Sequence, residues 1–182
     1  DETIIKFSGN RNHSFFKPIE EAFEDALSGS TNLNQNILKM EGLSGRKFRI
    51  LLNSLISKIN NPKYLEVGSW LGSTLCSACY RNKIEATCID NWSQNFSQQN
   101  PKEIFYKNIQ RYISPKIKLT KKEKDFRLIN YKSLDFFNIF FYDGAHHYED
   151  HFDSIKLVLP ALSKKFILIV DDWNWLQVRN GT

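Results

Sequence analysis

A chain of 182 residues, of which 41% are hydrophobic and 14% aromatic, is long enough to bury one core of ordinary domain size. It has no apolar run near the roughly 20 residues that a membrane span needs and no basic-then-apolar leader, so we expect a cytoplasmic protein without a membrane partner. The three cysteines, Cys76, Cys79 and Cys88, are an odd number, which argues against a disulfide framework and favours small buried thiols.

The net charge of +5 would suit a nucleic-acid partner, and residues 116–127 (KIKLTKKEKDFR) form the densest basic stretch. Aromatic side chains are not interleaved with these lysines, as a platform for stacking bases would require. The composition therefore favours a partner other than nucleic acid.

The first third of the chain has helical periodicity. Apolar residues recur at helical spacing from Phe16 to Leu27 and again from Phe48 to Ile59, before Pro62 ends the second pattern. We expect residues 1–60 to form a helical cap region that belongs to the same structural domain as the rest.

After Pro62 the period changes to short, continuous apolar runs that alternate with helical stretches. The predicted strands are residues 64–67, 86–90, 117–120, 138–142 and 166–170, of which the third is the most weakly marked. Such an alternation is typical of an α/β fold, a Rossmann-like, doubly wound and mainly parallel sheet that is covered by helices on both faces. The sequence therefore predicts one such core over residues 61–182.

Glycines and acids follow the predicted strands. Gly68, Asp90, Asp143 and the pair Asp171 and Asp172 each stand at the carboxyl end of a strand, which is the edge where ligands bind in open α/β sheets. A single acid at such a place is usually a cap or a solvated turn residue. Their recurrence on strand after strand indicates a site.

The first strand leads into a glycine loop of the form E-x-G-x-x-x-G, made by Glu66, Gly68 and Gly72. This is neither the dinucleotide pattern G-x-G-x-x-G nor a phosphate loop. The glycines would let the backbone approach a ligand, and Glu66 could hold a ligand amine. Because Asp90, at the end of the next strand, could accept hydrogen bonds from two ribose hydroxyls, the pattern favours a ligand that contains adenosine.

Four segments, YLEVGSWLGST, CIDNW, FYDGAHHYEDHFDSI and FILIVDDWNW, resemble the successive motifs of class I S-adenosylmethionine-dependent methyltransferases. Within that superfamily, residues 42–182 are most similar to the metal-dependent macrocin/mycinamicin-type sugar O-methyltransferases. The resemblance implies that residues 61–182 bind S-adenosylmethionine. The residues that it assigns to the cofactor are Glu66, Gly68, Ser69 and Gly72 at the methionine end, Asp90 at the ribose, Trp92 at the pocket wall, and Asp125 and Phe126 at the adenine. For Trp92, core packing is the alternative.

Three carboxylates, Asp143, Asp171 and Asp172, would supply hard oxygen ligands at adjacent strand ends, which suits Mg²⁺ or another divalent cation and disfavours zinc. The alternative is that they cap helices. In the segment D-G-x-H, His146 is the candidate general base for a substrate hydroxyl, and Asp143 competes for that role.

Two further histidines, His147 and His151, have the spacing of one helix face but not the H-E-x-x-H order of a zinc protease. We expect them to lie in a solvated, charge-rich first turn.

A complete class I methyltransferase sheet has seven strands, whereas this chain stops about ten residues after its fifth. We therefore expect a fold that is truncated after strand five. An exposed edge with the sequence FILIV would favour a homo-oligomer or another cover for that edge.

The expected function is S-adenosylmethionine-dependent and Mg²⁺-dependent O-methylation of a small hydroxylated substrate, a sugar or a phenol. Two alternatives stay open: a class I methyltransferase that acts on nucleic acid or another acceptor, and an inactive module of this fold that only binds.

Overall fold

The structure is a computed structural model that describes residues 3–94 and 99–182. Among these residues, no helix has both the length and the apolar character needed to cross a membrane.

Three helices precede the sheet: α1 (Phe16–Ser28), α2 (Gln35–Leu38) and α3 (Arg46–Lys58). The two helices predicted before the sheet are thus confirmed, with α2 as an additional short helix. Helix α1 packs against α3, and both contribute to the core cluster that covers one face of the sheet. The cap and the sheet therefore share one hydrophobic core.

The five strands are β1 (Lys63–Val67), β2 (Glu85–Ile89), β3 (Lys118–Lys122), β4 (Phe137–Tyr142) and β5 (Leu162–Val170). They form one sheet in the order β3-β2-β1-β4-β5, and every neighbouring pair is parallel. This confirms the predicted doubly wound α/β architecture. Strand β5 begins four residues earlier than expected, because two exposed lysines, Lys164 and Lys165, continue the strand along the edge of the sheet.

The helices of the second part are α4 (Ser73–Cys79), α5 (Pro101–Tyr112), α6 (Tyr148–Val158) and α7 (Leu176–Gly181). The sequence patterns predict the first three but not α7, a short helix that packs on α6 and contains the buried Val178. Its six residues make fewer than two helical turns, which is too short for an apolar periodicity to be recognised.

Alternate residues of the central strand face opposite cores. Tyr64 belongs to the cluster formed with α3, α4 and α5, whereas Leu65 and Val67 belong to the cluster beneath α6. Because strand side chains alternate between faces, a continuous apolar run supplies both cores. The cysteines are buried and free, as expected.

The edge strand β5 keeps part of its apolar surface accessible: Phe166, Leu168 and Val170 are only half-buried. Association through this edge stays a prediction.

Candidate active site

A cavity of about 430 Å³ opens at the carboxyl ends of the parallel strands. Its wall is built by residues that follow each of the five strands, together with Leu43 and Ser44 from the loop before α3. This volume lies in the range of roughly 300–1,000 Å³ that small-molecule sites occupy. The predicted edge of the sheet is therefore the edge that carries the cavity.

The turn after β1 depends on Gly68, which lines the cavity. Its φ of +88° is in the left-handed region, and a Cβ at this position would lie 1.9 Å from the carbonyl oxygen of Asp143 on the neighbouring loop. Only glycine permits this approach. The ends of β1 and β4 can thus lie directly beside each other beneath the ligand site.

Asp90 connects two loops of the wall. One carboxylate oxygen accepts a hydrogen bond from the backbone N–H of Trp70 at 2.7 Å, and the other accepts from the N–H of Trp92 at 2.6 Å. Both tryptophans have positive φ values, 39° and 50°. A carboxylate has about four acceptor positions, so Asp90 can hold both loops and still accept hydrogen bonds from a ligand.

Asp125 and Phe126, which the resemblance assigns to the adenine, both line the cavity. The Asp125 carboxylate accepts from the N–H of Arg127 at 2.8 Å and begins a short 3₁₀ turn. The Arg127 guanidinium lies 4.5 Å from the centre of the Phe126 ring and forms ion pairs with Asp150 and Asp153 of α6. This end of the wall is therefore braced by the following helix.

Three residues assigned to the cofactor do not lie on the cavity wall, which differs from the expectation of direct contact. Gly72 faces the ring of Phe105, since a Cβ there would lie 3.0 Å from that ring. Trp92 packs on Phe105 at a ring distance of 5.3 Å and donates its indole N–H to the carbonyl of Trp70. Both support the wall from behind, and for Trp92 the core-packing alternative describes the structure.

Glu66, the third of these, is completely buried beneath the cavity. Its carboxylate accepts hydrogen bonds from Tyr64 at 2.5 Å and from Thr74 at 3.1 Å. Burial raises the pKa of Glu66 to about 7, although these hydrogen bonds favour the charged form. Glu66 therefore links β1 to α4 beneath the cavity, whereas Ser69 lies on the cavity wall.

The three acids predicted to bind a metal lie near one another but do not all face the cavity. Asp143 and Asp172 line it, whereas Asp171 accepts the N–H of Asp172 at 2.9 Å and is not part of the wall. Within residues 3–94 and 99–182, no group of three or more histidines, cysteines or acids is arranged to hold a metal ion. Asp143 and Asp172 thus line the cavity together, and metal binding by the three acids stays a prediction.

Burial raises the pKa of Asp143 well above its usual range, and the nearby Asp171 adds to this effect. The two carboxyls interact closely, so a negative charge on Asp143 is poorly compensated by the protein. This is the electrostatic environment that a cation or a shared proton relieves.

His146 lies on the wall beside these acids. Its Nε2 is 3.4 Å from an oxygen of Asp172 and 3.9 Å from an oxygen of Asp143, and its ring packs edge-on against Trp175. The buried Nδ1 has no hydrogen-bond partner among the described residues. The structure therefore places the predicted base beside the side chains of Asp143 and Asp172.

The sequence predicts that His147 and His151 lie in a solvated turn, and the structure differs for His151. His147 is exposed and caps α6, as expected, with its N–H donating to Asp150. His151 is instead buried, one helical turn further on, and stacks on His146 at a ring distance of 5.7 Å. Helix α7 covers it, which the sequence patterns did not show.

Several cavity residues escaped sequence reasoning, chiefly Leu43, Ser44, Ser73 and Arg127. Ser73 follows the glycine loop and could have been included by adjacency. Leu43 and Ser44 could not, because they reach the cavity only when the cap folds back over the sheet.

Comparison with known proteins identifies a family for this chain. A family model described as a methyltransferase domain matches residues 65–173, well over half of the chain. No curated protein matches the chain.

Several solved structures share the fold. The methyltransferase PaMTH1 of Podospora anserina, bound to SAH, is 15% identical with a TM-score of 0.57, covering 85% of this chain and 61% of that one. CalS11, a TDP-rhamnose 3′-O-methyltransferase of calicheamicin biosynthesis, is 12% identical with a TM-score of 0.54, covering 93% and 83%. Coclaurine N-methyltransferase, bound to N-methylheliamine and SAH, is 14% identical with a TM-score of 0.51, covering 86% and 51%.

The chain therefore spans about three fifths of the length of PaMTH1, and these identities show a shared fold alone. The sequence motifs, the five-stranded parallel sheet and the family match agree with one another. The chain belongs to the methyltransferase domain family and has the class I methyltransferase fold.

Proposed function

We propose that this protein transfers a methyl group from S-adenosylmethionine to a hydroxyl oxygen of a small molecule, a sugar or a phenol. The observation that carries the proposal is that residues assigned to the cofactor and residues assigned to the acceptor line the same cavity. Gly68, Asp90 and Phe126 lie on the side expected to bind the cofactor, and His146 lies with Asp143 on the side expected to bind the acceptor.

The residues present fit the cofactor. Asp90 retains acceptor positions for two ribose hydroxyls, and Phe126 lines the cavity on the side where the adenine is expected. Gly68 leaves the backbone of the floor open to close approach. When bound, S-adenosylmethionine supplies a sulfonium methyl group that needs no further activation.

The protein's own contribution is positioning and proton removal. Holding the acceptor oxygen in line with a reactive group supplies a large part of the catalysis in such reactions. His146 would take the hydroxyl proton, and Asp172, 3.4 Å from its Nε2, would stabilise the imidazolium that results. Asp143 is the weaker candidate, because its raised pKa favours a carboxyl that already holds a proton.

The proposal includes a bound divalent cation. Mg²⁺ commonly binds through one or two carboxylates and completes its coordination with water or substrate oxygens, a mode that Asp143 and Asp172 fit. Such an ion would lower the pKa of a bound substrate hydroxyl. Asp171 would then not bind the ion directly and would affect it only by its interaction with Asp143.

A small acceptor is favoured over nucleic acid because two cations of the basic stretch already have acidic partners. Lys118 contacts Glu85 and Asp135, and Arg127 contacts Asp150 and Asp153. These cations already have acidic partners, which reduces the charge available to a phosphate backbone.

The test is calorimetric titration of S-adenosylhomocysteine into the wild-type protein and the variant Asp90→Ala, with Asp135→Ala as the control. Asp135 is exposed and lies outside the cavity. We expect binding to wild type and to the control and a loss of at least about tenfold in affinity in Asp90→Ala. Equal affinity in all three proteins would refute the cofactor assignment.

The acceptor is then sought with a methyl-labelled cofactor and a panel of sugars, phenols and RNA, with Mg²⁺ or with a chelator. Label in a sugar or phenol supports the proposal, and label in RNA alone favours the nucleic-acid alternative. Cofactor binding with no label transferred to any acceptor favours the binding module.

A further inference from the structure

Arg49 of α3 is buried to 98% of its surface, behind the cavity wall. Its Nη1 donates hydrogen bonds to the carbonyls of Ile37 at 2.8 Å and Met40 at 2.7 Å, and its Nε donates to the hydroxyl of Ser44 at 3.0 Å. All three acceptors are neutral oxygens. In the described part of the chain, no carboxylate forms an ion pair with this guanidinium.

A buried charge without an opposite charge is costly. Burial lowers the pKa of Arg49 from its usual range, although the group remains a cation at physiological pH. The protein therefore carries an uncompensated positive charge at a specific place beside the ligand site.

Two serine hydroxyls connect the Arg49 guanidinium to the cavity by hydrogen bonds. Ser44 and Ser73 both line the wall, and their oxygens are 3.0 Å apart. The two hydroxyls have two hydrogens between them, and one is used in their mutual hydrogen bond. Because Arg49 donates to Ser44 and cannot accept, the second hydrogen remains for another acceptor. The pair can thus donate a hydrogen bond to a ligand.

The backbone keeps this arrangement tight. A Cβ at Gly42 would lie 2.4 Å from the hydroxyl oxygen of Ser73 and 3.2 Å from Nη2 of Arg49. The loop before α3 therefore rests directly on the start of α4, with the guanidinium behind it. Glu66, the buried acid of the glycine loop, accepts hydrogen bonds from Tyr64 and Thr74 instead.

We infer that Arg49 is the counter-charge for the anionic end of the ligand, the α-carboxylate of the cofactor's methionine part, and that it acts through Ser44 and Ser73. This inference rests on the proposed function, because it takes S-adenosylmethionine as the ligand. Arg49 is a positioning residue in this role, since the serines stand between it and the cavity. A purely structural role would instead weaken all ligands equally.

The experiment uses two ligands that differ only in the carboxylate: S-adenosylhomocysteine and its decarboxylated analogue. Their affinities are measured by titration calorimetry for wild type, for Arg49→Met, and for Arg46→Met as a matched control, an exposed arginine on the same helix. We expect wild type and the control to prefer the carboxylate by at least about tenfold, and Arg49→Met to lose most of this preference.

A second variant, Ser44→Ala, removes the hydroxyl that links Arg49 to the cavity and decides the question if Arg49→Met does not fold. It too should lose the preference for the carboxylate. An unchanged preference in the folded variants would overturn the inference while leaving the proposed function intact. Failure of both ligands to bind wild type would instead overturn the proposed function, and this inference with it.

Discussion

The carboxylate of Asp90 lies 2.7 Å from the backbone nitrogen of Trp70, although the two residues follow different strands of the sheet. The same side chain that is expected to bind the ribose therefore also positions the loop opposite. A substitution at Asp90 changes both the ligand contact and the shape of the wall.

Replacement of Asp90 by alanine should lower the free energy of unfolding even without ligand. Two backbone N–H groups, of Trp70 and Trp92, lose their acceptor, which we expect to cost about 2–4 kcal/mol in total. Urea unfolding of the ligand-free protein measures this. Asp125→Ala, which removes the acceptor of a single exposed turn, serves as the control and should cost about 1 kcal/mol. Equal stability of the two variants would contradict the bridging role.

Gly68→Ala should destabilise the protein by roughly 2–4 kcal/mol, because it combines a left-handed backbone with a contact of 1.9 Å to the carbonyl of Asp143. The matched control is Gly45→Ala, where a Cβ would meet nothing within 4 Å. Thermal or urea unfolding compares them. A variant at Gly68 as stable as the control would show that the strand ends can separate at little cost.

The stability of the wild-type protein should fall as the pH rises from about 4.5 to 7, to the extent that Glu66 controls it. Its pKa in the folded protein is about 7, above the ordinary 4.5, so the folded state binds the proton more tightly than the unfolded state. Raising the pH therefore favours unfolding until the folded pKa is passed.

Glu66→Gln removes this titration. The variant should gain stability relative to wild type between pH 5 and 7, by a total on the order of 3 kcal/mol. Urea unfolding at several pH values gives the two curves. Parallel curves would mean that Glu66 is charged in the folded protein throughout this range.

His146→Gln should reduce the rate of methyl transfer by about 10²–10⁴-fold while leaving the affinity for S-adenosylhomocysteine unchanged. The neighbouring His147→Gln is the control, because that exposed residue only caps α6. Single-turnover kinetics and calorimetry separate the two effects. Similar rates of methyl transfer in both variants would show that another group acts as the base.

The carboxylates should differ in their effect on Mg²⁺. Asp172→Asn removes a cavity-facing carboxylate and should weaken Mg²⁺ binding, whereas Asp171→Asn keeps the acceptor for the backbone of Asp172 and should change it less. Calorimetric titration of Mg²⁺ in the presence of S-adenosylhomocysteine makes the comparison. A larger loss of Mg²⁺ affinity in Asp171→Asn would support the set of three carboxylate ligands expected from the sequence.

The fold was largely predictable because parallel strands that are buried on both faces have a strong local signature. Strand β3 was the weakest prediction for a physical reason: it lies at an edge, only part of it is buried, and its sequence KLTKK carries three lysines. Helix α7 is too short to show a period.

The candidate site was predictable only in part. Gly68, Asp90 and His146 were found because strand ends meet at one edge, a property of the topology. Whether a side chain at that edge points into the cavity or beneath it depends on the alternation of side chains along the strand and on the loops. For this reason Ser69 lines the cavity, whereas Glu66 lies beneath it. Ser44 depends on a contact between the cap and the sheet, which no local pattern reports.

Trp70, Trp92 and Asp172 all adopt left-handed backbone conformations in loops directly after strands. Each such residue that is not glycine stores strain of order 1 kcal/mol, which the surrounding contacts must hold in place. The folding reaction thus sets these loops in their working shape beforehand. Little conformational entropy is then left to lose when a ligand arrives, so preorganisation becomes part of the affinity.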